Sequence, residues 1–515
     1  MISPAEHLER EVKLGADLDL ALPDLRGLIG TERLAELELQ ASYFDTSDLR
    51  LWARGITFRH RVGEGPTGGL WTMKLPTAGA ADTLDRTELT WPGTREQIPP
   101  EAKRILRGLV RHEELGQVVD LSTTRRRLAL RDSTGAALGE LDDDTVVVSG
   151  GPLDGLRFRQ LELELASEVD GSGQIGMVDA VVGELRKAGA RPGDGSKLAI
   201  ALGLSPGTAE SETEAIGRRS SLAEVVRRSI RDALHGLLDH DYRLRLDPSK
   251  PAPHDVHQAR VATRRLRSDL KTLAPVLDPV WLEHTRGELG WLGGLLGEVR
   301  DADVLLSLFD AQESTLDTNG HHELLLEVRE QRLLACGILR TALDSDRYLH
   351  LLERLVAAAA LPPFFVRPRV QGKNQPFDPR QPAAKALRRL VRVPSQSLRR
   401  RVKRAGKRPS DSQLHKIRIG AKQLRYAAEL ASPVIGKPAR RTASAAEHLQ
   451  TVLGAHHDAV SAETWLRQES NRSSTRSSFA AGQLVETQTQ RQKELRRQWR
   501  AVWGRLRRRT VDHWR

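Results

Sequence analysis

The sequence predicts an α+β chain, with an antiparallel sheet or closed barrel first and an all-helical part after it. Three observations predict this. Apolar residues alternate with a period of two up to about residue 205, and with a helical period from about residue 221 onward. The strand-like segments mostly adjoin in sequence, which favours antiparallel pairing over strand–helix–strand units. The charge divides at the same place. Residues 1–200 hold 25 basic and 33 acidic side chains, a net of −8, while the other 315 hold 55 and 35, a net of +20.

In order along the chain, strands are predicted over 6–14, 37–45, 55–62, 69–75, 83–91, 121–131, 137–148 and 157–166, with short helices near 97–110 and 174–188. Side chains on a strand alternate between faces. "EREVK" therefore puts Glu9, Glu11 and Lys13 on one face and Arg10 and Val12 on the other. The later strands split the same way: Arg59 and Arg61 against Phe58, and Lys74 against Trp71 and Met73. Arg86 shares a face with Glu88, Arg125 with Arg127, Glu140 with Asp142 and Asp144, and Glu162 with Glu164. Alternation alone fits an open sheet with its charged face in water as well as a barrel with that face inward. The mixture tilts the reading toward the barrel. Acid pairs on the first and last strands, with Lys and Arg pairs between, suit a metal–polyphosphate complex, because phosphate oxygens need cationic donors and Mg²⁺ or Mn²⁺ prefers carboxylates.

The Pro/Gly/Ser/Glu-rich stretch at 206–220 reads as a linker between a first domain at 1–205 and a second at 221–512. A further break at 361–384 divides the second domain into halves, about 221–360 and 385–512, and the halves repeat. "HQARVATRRLRSDL" from His257 matches "HKIRIGAKQLRYAA" from His415, and downstream "LGEVRDADV" (296–304) matches "LGAHHDAV" (453–460). On a helix, Arg260, Arg264, Arg267 and Lys271 fall within roughly 80° of His257, opposite Ala259, Ala262, Leu266 and Leu270. His415, Arg418, Lys422 and Arg425 repeat the stripe. Such a row of cations repels itself, and an extended polyanion lying along it relieves the repulsion. With no aromatics interleaved, the stripe points to phosphate contact without base reading, so sequence-specific nucleic acid is not the expected partner.

Other classes are excluded. One cysteine, Cys336, cannot build a disulfide framework and suggests a reducing compartment. No apolar run approaches the ~20 residues of a membrane helix, and the first residues are too polar for a signal peptide. A cytoplasmic location and no membrane partner are expected. "GDGSK" (193–197) lacks the spacing of a P-loop. The adjacent His456 and His457 diverge by ~100° on a helix and cannot readily share a metal.

The N-terminal pattern resembles the CYTH family of triphosphate tunnel enzymes. The likeness rests on the ExExK signature Glu9, Glu11 and Lys13, followed in order by Arg59/Arg61, Lys74, Arg86/Glu88, Arg125/Arg127, the acidic strand 140–144, Glu162/Glu164 and Lys197. It implies an eight-stranded antiparallel tunnel and hydrolysis of inorganic triphosphate or short polyphosphate, dependent on Mg²⁺ or Mn²⁺. Lys13, Arg59, Arg61, Lys74, Arg86, Arg125, Arg127 and Lys197 would hold phosphates. Glu9, Glu11, Glu162, Glu164 and Asp142 would hold metal, with Lys13, Glu9 and Glu11 closest to the chemistry. Thiamine triphosphate hydrolysis and adenylate cyclisation are the rival activities, and the 4% aromatic content offers little for nucleoside stacking. The third alternative is a non-catalytic scaffold that binds polyphosphate or nucleic acid.

The repeat resembles the CHAD family. This implies two pseudo-symmetric four-helix bundles with a groove for inorganic polyphosphate, and association with polyphosphate granules. Its binding residues would be His257, Arg260, Arg264, Arg267, Lys271, His415, Arg418, Lys422 and Arg425. In the second half Gln423 replaces Arg265 and Glu429 stands where Lys271 does.

Overall fold

The computed structural model describes all residues except 1–4, 10, 67, 77–85, 133, 167–171, 194, 205–214, 312–317, 366–376, 471–474, 510–513 and 515, and the side chains at 5–9, 86, 172–175 and 318. The chain divides into two compact units, Met1–Thr213 and Glu214–Arg515.

The first unit runs β1 (Ala5–Glu9), β2 (Glu11–Ala16), β3 (Gly30–Arg33), β4 (Leu37–Asp45), β5 (Thr57–Val62), β6 (Leu70–Pro76), β7 (Arg86–Pro92), α1 (Pro100–Val110), β8 (Gly116–Arg131), β9 (Ala137–Ser149), β10 (Arg157–Leu165), α2 (Ser172–Lys187), β11 (Arg191–Pro192) and α3 (Lys197–Ala201). All strands join one antiparallel sheet in the order β1-β7-β6-β5-β4-β8-β9-β10-β2-β11, with β3 beside β8. Among the described residues, the expected count of eight rises to eleven. The predicted first strand is two segments, and the short β3 and β11 carry too few residues to show a period. The pairings form an open path, not a ring of ladders. The consecutive strands β1 and β2 nevertheless lie at opposite sides of the path, β1 at one end beside β7 and β2 between β10 and the terminal β11.

Register decides which side chains share the concave face. Lys13 stands opposite Glu162, which stands opposite Asp142, which stands opposite Arg127. On the other flank Tyr43 is opposite Arg59, Thr57 opposite Lys74 and Lys74 opposite Glu88. A one-residue slip would send each of these rows to the other face. The convex face is apolar, with Leu14, Leu141, Leu161 and Leu163 packed against Val181 and Leu185 of α2. The charged rows of the concave face end in apolar residues: β9 continues from Asp144 to Val146 and Val148, and β8 runs back from Arg125 to Leu121 and Val119. Leu198 and Ala201 of α3 pack on these four. Ser196 caps α3 by accepting from the Ala199 amide (3.3 Å), and Lys197 follows as its first residue. Burying α3's apolar side there delivers Lys197 to the charged part of the face.

The second unit is helical: α4 (Leu222–Leu246), α5 (Pro253–Leu273), α6 (Pro279–Asp310), α7 (Thr318–Leu343), α8 (Asp346–Ala360), α9 (Ala383–Ala405), α10 (Asp411–Ile435), α11 (Lys437–Glu469) and α12 (Thr475–Arg507). Helices α4–α7 and α9–α12 pack in the same sequential order, and α8 is a fifth helix of the first half beyond the four expected. It packs on α4 through buried Tyr348, whose hydroxyl donates to Asp241 (2.8 Å). The halves meet reciprocally. The Leu222 amide donates to the Gln381 carbonyl (3.0 Å) and the Ala383 amide to the Ser220 carbonyl (2.9 Å). Helix α5 packs on α10, and α7 on α12. Among the described residues no helix is long and apolar enough to cross a membrane.

Candidate functional site

The concave face of the sheet encloses a cavity of about 240 Å³ whose lining is mostly polar. Lys13, Glu162 and Glu164 line it from β2 and β10, Arg125 from β8, Tyr43 from β4, Thr57, Arg59 and Arg61 from β5, Lys74 and Glu88 from β6 and β7, and Ser196 and Lys197 from the start of α3. The register that aligns the strands therefore brings most of the predicted site together.

Glu162 is the hub. It accepts from Lys13 Nζ (2.7 Å), Lys197 Nζ (2.7 Å) and Arg125 Nη2 (3.1 Å). Burial alone would raise its carboxyl, but Lys13, Lys197 and Arg125 outweigh burial and hold it well below the usual carboxylate range. Burial likewise opposes the charge on Lys13, yet Glu162 and Glu11 (3.1 Å) raise it, so Lys13 stays an ammonium. Arg125 also binds Asp144 through Nε and Nη2 (2.8 and 2.7 Å), pairs with Asp142, and is raised by these acids against its burial. Lys197 reaches Asp144 as well (2.8 Å). Gly193 admits this arrangement: its amide donates to the Lys13 carbonyl (3.1 Å), and a Cβ would stand 2.8 Å from that oxygen.

The opposite wall is more open in charge. Arg59 donates to the Tyr43 hydroxyl (3.2 Å), Arg61 pairs with Glu64 (3.0 Å) and Lys74 with Glu88 (3.4 Å). Burial and the neighbouring Arg59 lower the Arg61 guanidinium. Burial would raise the Tyr43 phenol, but Arg59, Lys197 and Lys13 outweigh it and lower it. Tyr43 was not predicted, because alternation groups it with Leu39 and Ala41, an apolar row; only the register opposite Arg59 marks it. Arg127 is on the same face but pairs with Glu140. The side chains of Glu9 and Arg86 lie outside the described residues; their backbones are register partners on β1 and β7.

Whether these acids fit a metal can be tested on the donors themselves. All are hard carboxylate oxygens, Glu11 is the register partner of Glu164, and Asp142 Oδ1 is buried without a hydrogen-bond partner. Burial, and a hydrogen bond that protonated Asp142 donates to the Glu140 carboxylate, push Asp142 up to about 8 against the pull of Arg125, as expected where acids outnumber nearby cations. The donor chemistry therefore fits Mg²⁺ or Mn²⁺. Among the described residues, however, no three acids converge on one point, and Glu162 is held by three cations.

In the helical unit, the two stripes meet at the α5–α10 contact. Arg264 Nε donates to the Tyr426 hydroxyl (3.0 Å), and Arg260 pairs with Asp301 (2.9 Å) and donates to the Gly297 carbonyl (3.1 Å). Burial, together with Arg264, Arg418 and Arg260, pushes Lys422 down to about 7. Burial and the same neighbours Arg264 and Arg260 lower Arg418 against the pull of Asp458, and its Nε is buried without a partner. Among the described residues, no carboxylate stands within ion-pair distance of Arg264, Arg267, Lys271, Arg418 or Lys422. His415 Nδ1 lies 3.3 Å from His457 Nδ1, and burial with Arg418 and His415 pushes His457 down to about 4. Burial and Arg300 lower His257. His456 turns away to Asp411 (3.3 Å). Arg425, also predicted for this stripe, is held instead by Glu429 (2.7 Å) and Glu447 (2.9 Å).

Comparison with known proteins places both units. The CYTH domain family matches residues 7–174 and the CHAD domain family residues 228–467. Two proteins of Mycobacterium tuberculosis, uncharacterized proteins MT2285 and Rv2226, are each 30% identical over 98% of this chain and 97% of their own length. The chain belongs to the CYTH–CHAD fusion proteins. Among solved structures, the CHAD domain from the plant Ricinus communis covers 57% of this chain and 95% of its own, at 24% identity and a TM-score of 0.46. HpAC1 from Hippeastrum, described as a putative adenylyl cyclase with a dominant triphosphatase activity, covers 40% of this chain and 100% of its own at 13% identity and a TM-score of 0.26. CYTH proteins act on phosphoanhydrides with divalent metals, and both families bind triphosphate or polyphosphate.

Proposed function

We propose that the CYTH unit hydrolyses inorganic triphosphate or short polyphosphate and that the CHAD unit binds inorganic polyphosphate. The observation that carries the first part is a single cavity lined by Lys13, Arg59, Arg61, Lys74, Arg125 and Lys197 together with Glu162 and Glu164 of β10, whose register partners on β2 and β9 include Glu11, Glu140 and Asp142. Arg59, Arg61 and Lys74 on one wall, and Lys13, Arg125 and Lys197 on the other, would bind phosphate oxygens from both sides. Arg86 and Arg127 would extend that grip along the same face. Glu9, Glu11, Glu162, Glu164 and Asp142 would hold Mg²⁺ or Mn²⁺, which when bound neutralises charge on the phosphates. Lys13, kept protonated by Glu162 and Glu11, serves as a cation beside the phosphates and not as a base. Unmatched cations from both halves of the CHAD unit support the second part.

The test measures phosphate release by the full chain from triphosphate, ATP and thiamine triphosphate with Mg²⁺ or Mn²⁺, beside Glu11→Ala. Triphosphate is expected to turn over fastest, and Glu11→Ala to lose about 10²–10³-fold. No metal-dependent release from any substrate would sink the hydrolase reading.

A further inference from the structure

The CHAD groove is built from a repeat, and the repeat is unequal at one end. The His257 and His415 motifs match Arg267 with Arg425 and Lys271 with Glu429. The Asp301 and Asp458 motifs match Gly290 with Glu447 and Arg286 with Ala443. The reciprocal hydrogen bonds at the starts of α4 and α9 match His240 with Arg401.

Around the end of α5, where α9 of the other half contributes Arg401, these positions leave charge without an acid partner among the described residues. The Arg267 guanidinium lies over Gly290, where a Cβ would stand 3.2 Å from Nη2, so glycine is what lets it rest on α6. Arg286 is beside it, with Nε buried and unpartnered, and burial together with Arg267 lowers its guanidinium. Burial and then Arg286, Arg401 and Arg267 lower Lys271. Arg401 spends one donor, Nη1, on the Lys416 carbonyl (2.7 Å). Among the described residues none of these four has a carboxylate within ion-pair distance.

Around the end of α10, where α4 of the other half contributes His240, the equivalent charge is cancelled. Arg425 is clasped by Glu429 (2.7 Å) and Glu447 (2.9 Å), the residues that replace Lys271 and Gly290. Ala443 offers no donor, and His240 is bound to Asp255 (2.7 Å).

We infer that the anion track is polar: a phosphate chain held by Arg260, Arg264, Arg418 and Lys422 continues onto Arg267, Lys271, Arg286 and Arg401, and not onto the arm of Arg425. This rests on the polyphosphate reading of the CHAD unit and adds Arg286 and Arg401 to its contacts. From Arg264 to Lys271 the helix rises about 10 Å, so only chains longer than that reach gain from the arm.

The experiment is calorimetric titration of the full chain, in chelator to stop metal-dependent turnover, with inorganic polyphosphates of increasing length. Three proteins are compared: wild type, Arg286→Ala/Arg401→Ala, and Glu429→Lys/Glu447→Gly, which installs first-arm residues in the second. The loss in the alanine variant is expected to grow with chain length to about tenfold, and the swapped variant to gain several-fold for long chains. A gain cannot come from misfolding. Equal loss at every length, no loss, or no gain in the swapped variant overturns the polarity. Wild type that binds polyphosphate of no length overturns the binding reading itself.

Discussion

In the CYTH unit Lys13, Lys197 and Arg125 each stand against a carboxylate, whereas in the CHAD unit Lys422, Arg418 and Arg264 crowd one another with, among the described residues, no carboxylate within ion-pair distance. The two units draw on the same basic side chains and make opposite sites from them. A balanced cavity is stable when empty and suits a ligand that brings both signs, a polyphosphate with its metal. An unbalanced cluster stores repulsion that a bound net anion would discharge. Geometry explains the balance: strands fix acids and bases in facing rows, while the contact between the repeated helices α5 and α10 brings like stripes together.

The largest effect that separates the two is removal of a hub. Glu162→Ala would leave Lys13, Lys197 and Arg125 short of a partner in a buried wall. We expect a loss of about 3–5 kcal/mol in denaturant unfolding of the CYTH transition, together with loss of phosphate release. The counterpart in the groove is Lys422→Met. It removes one member of a like-charged cluster, so stability should hold or rise. Polyphosphate affinity should fall about tenfold or more, the scale of one charged hydrogen bond. If Glu162→Ala proves as stable as wild type, or Lys422→Met unfolds the CHAD unit, the contrast between balanced and unbalanced sites is wrong.

A smaller effect is acid–base. Lys422 has a folded value of about 7 and an unfolded value near that of free lysine. Between those values the unfolded chain binds the extra proton, so stability of the ligand-free groove should rise with pH from about 7 to about 10.5, by at most ~1.4 kcal/mol per pH unit. Below pH 7 both states are protonated and the contribution is flat. Polyanion binding favours the charged ammonium, so affinity should fall by up to about tenfold per pH unit above 7. Titrations in two buffers of different ionisation enthalpy would show proton uptake at pH 8 in wild type and its absence in Lys422→Met. Equal heats after buffer correction would remove Lys422 from the site.

The same contrast governs what could be read in the sequence. Facing rows were legible because period two sorts Glu11 with Lys13 and Glu162 with Glu164 before any fold is known, and register then does the rest. Three features escaped that rule. Tyr43 hides in an apolar row, β3 and β11 are too short for periodicity, and α3 is a one-turn helix whose "GSK" start resembles a loop. The cationic stripes were legible from the helical period, but their partners were not. Arg425 looks equivalent to Arg267 along one helix, and only packing shows that Glu447 from α11 neutralises it. Which face of the sheet is concave also lay beyond alternation, because both faces of an isolated strand obey the same period.

The smallest predicted effect tests how finely the groove is cut. Gly297 lies under Arg260, where a Cβ would meet the guanidinium carbon at 3.4 Å, and its carbonyl accepts from Arg260 Nη1 (3.1 Å). In mid-helix, Gly→Ala should stabilise α6 by about 0.5–1 kcal/mol. The added methyl meets the mobile end of an arginine and not backbone, so it shifts Arg260 by a few tenths of an ångström instead of breaking the helix. Gly297→Ala should therefore raise the melting temperature slightly and lower polyphosphate affinity about two- to threefold, within the spread of a weakened hydrogen bond. Stability and binding moving in opposite directions is the mark of a glycine kept for the ligand. If both fall together, Gly297 serves packing alone, and Arg260 reaches the groove without its help.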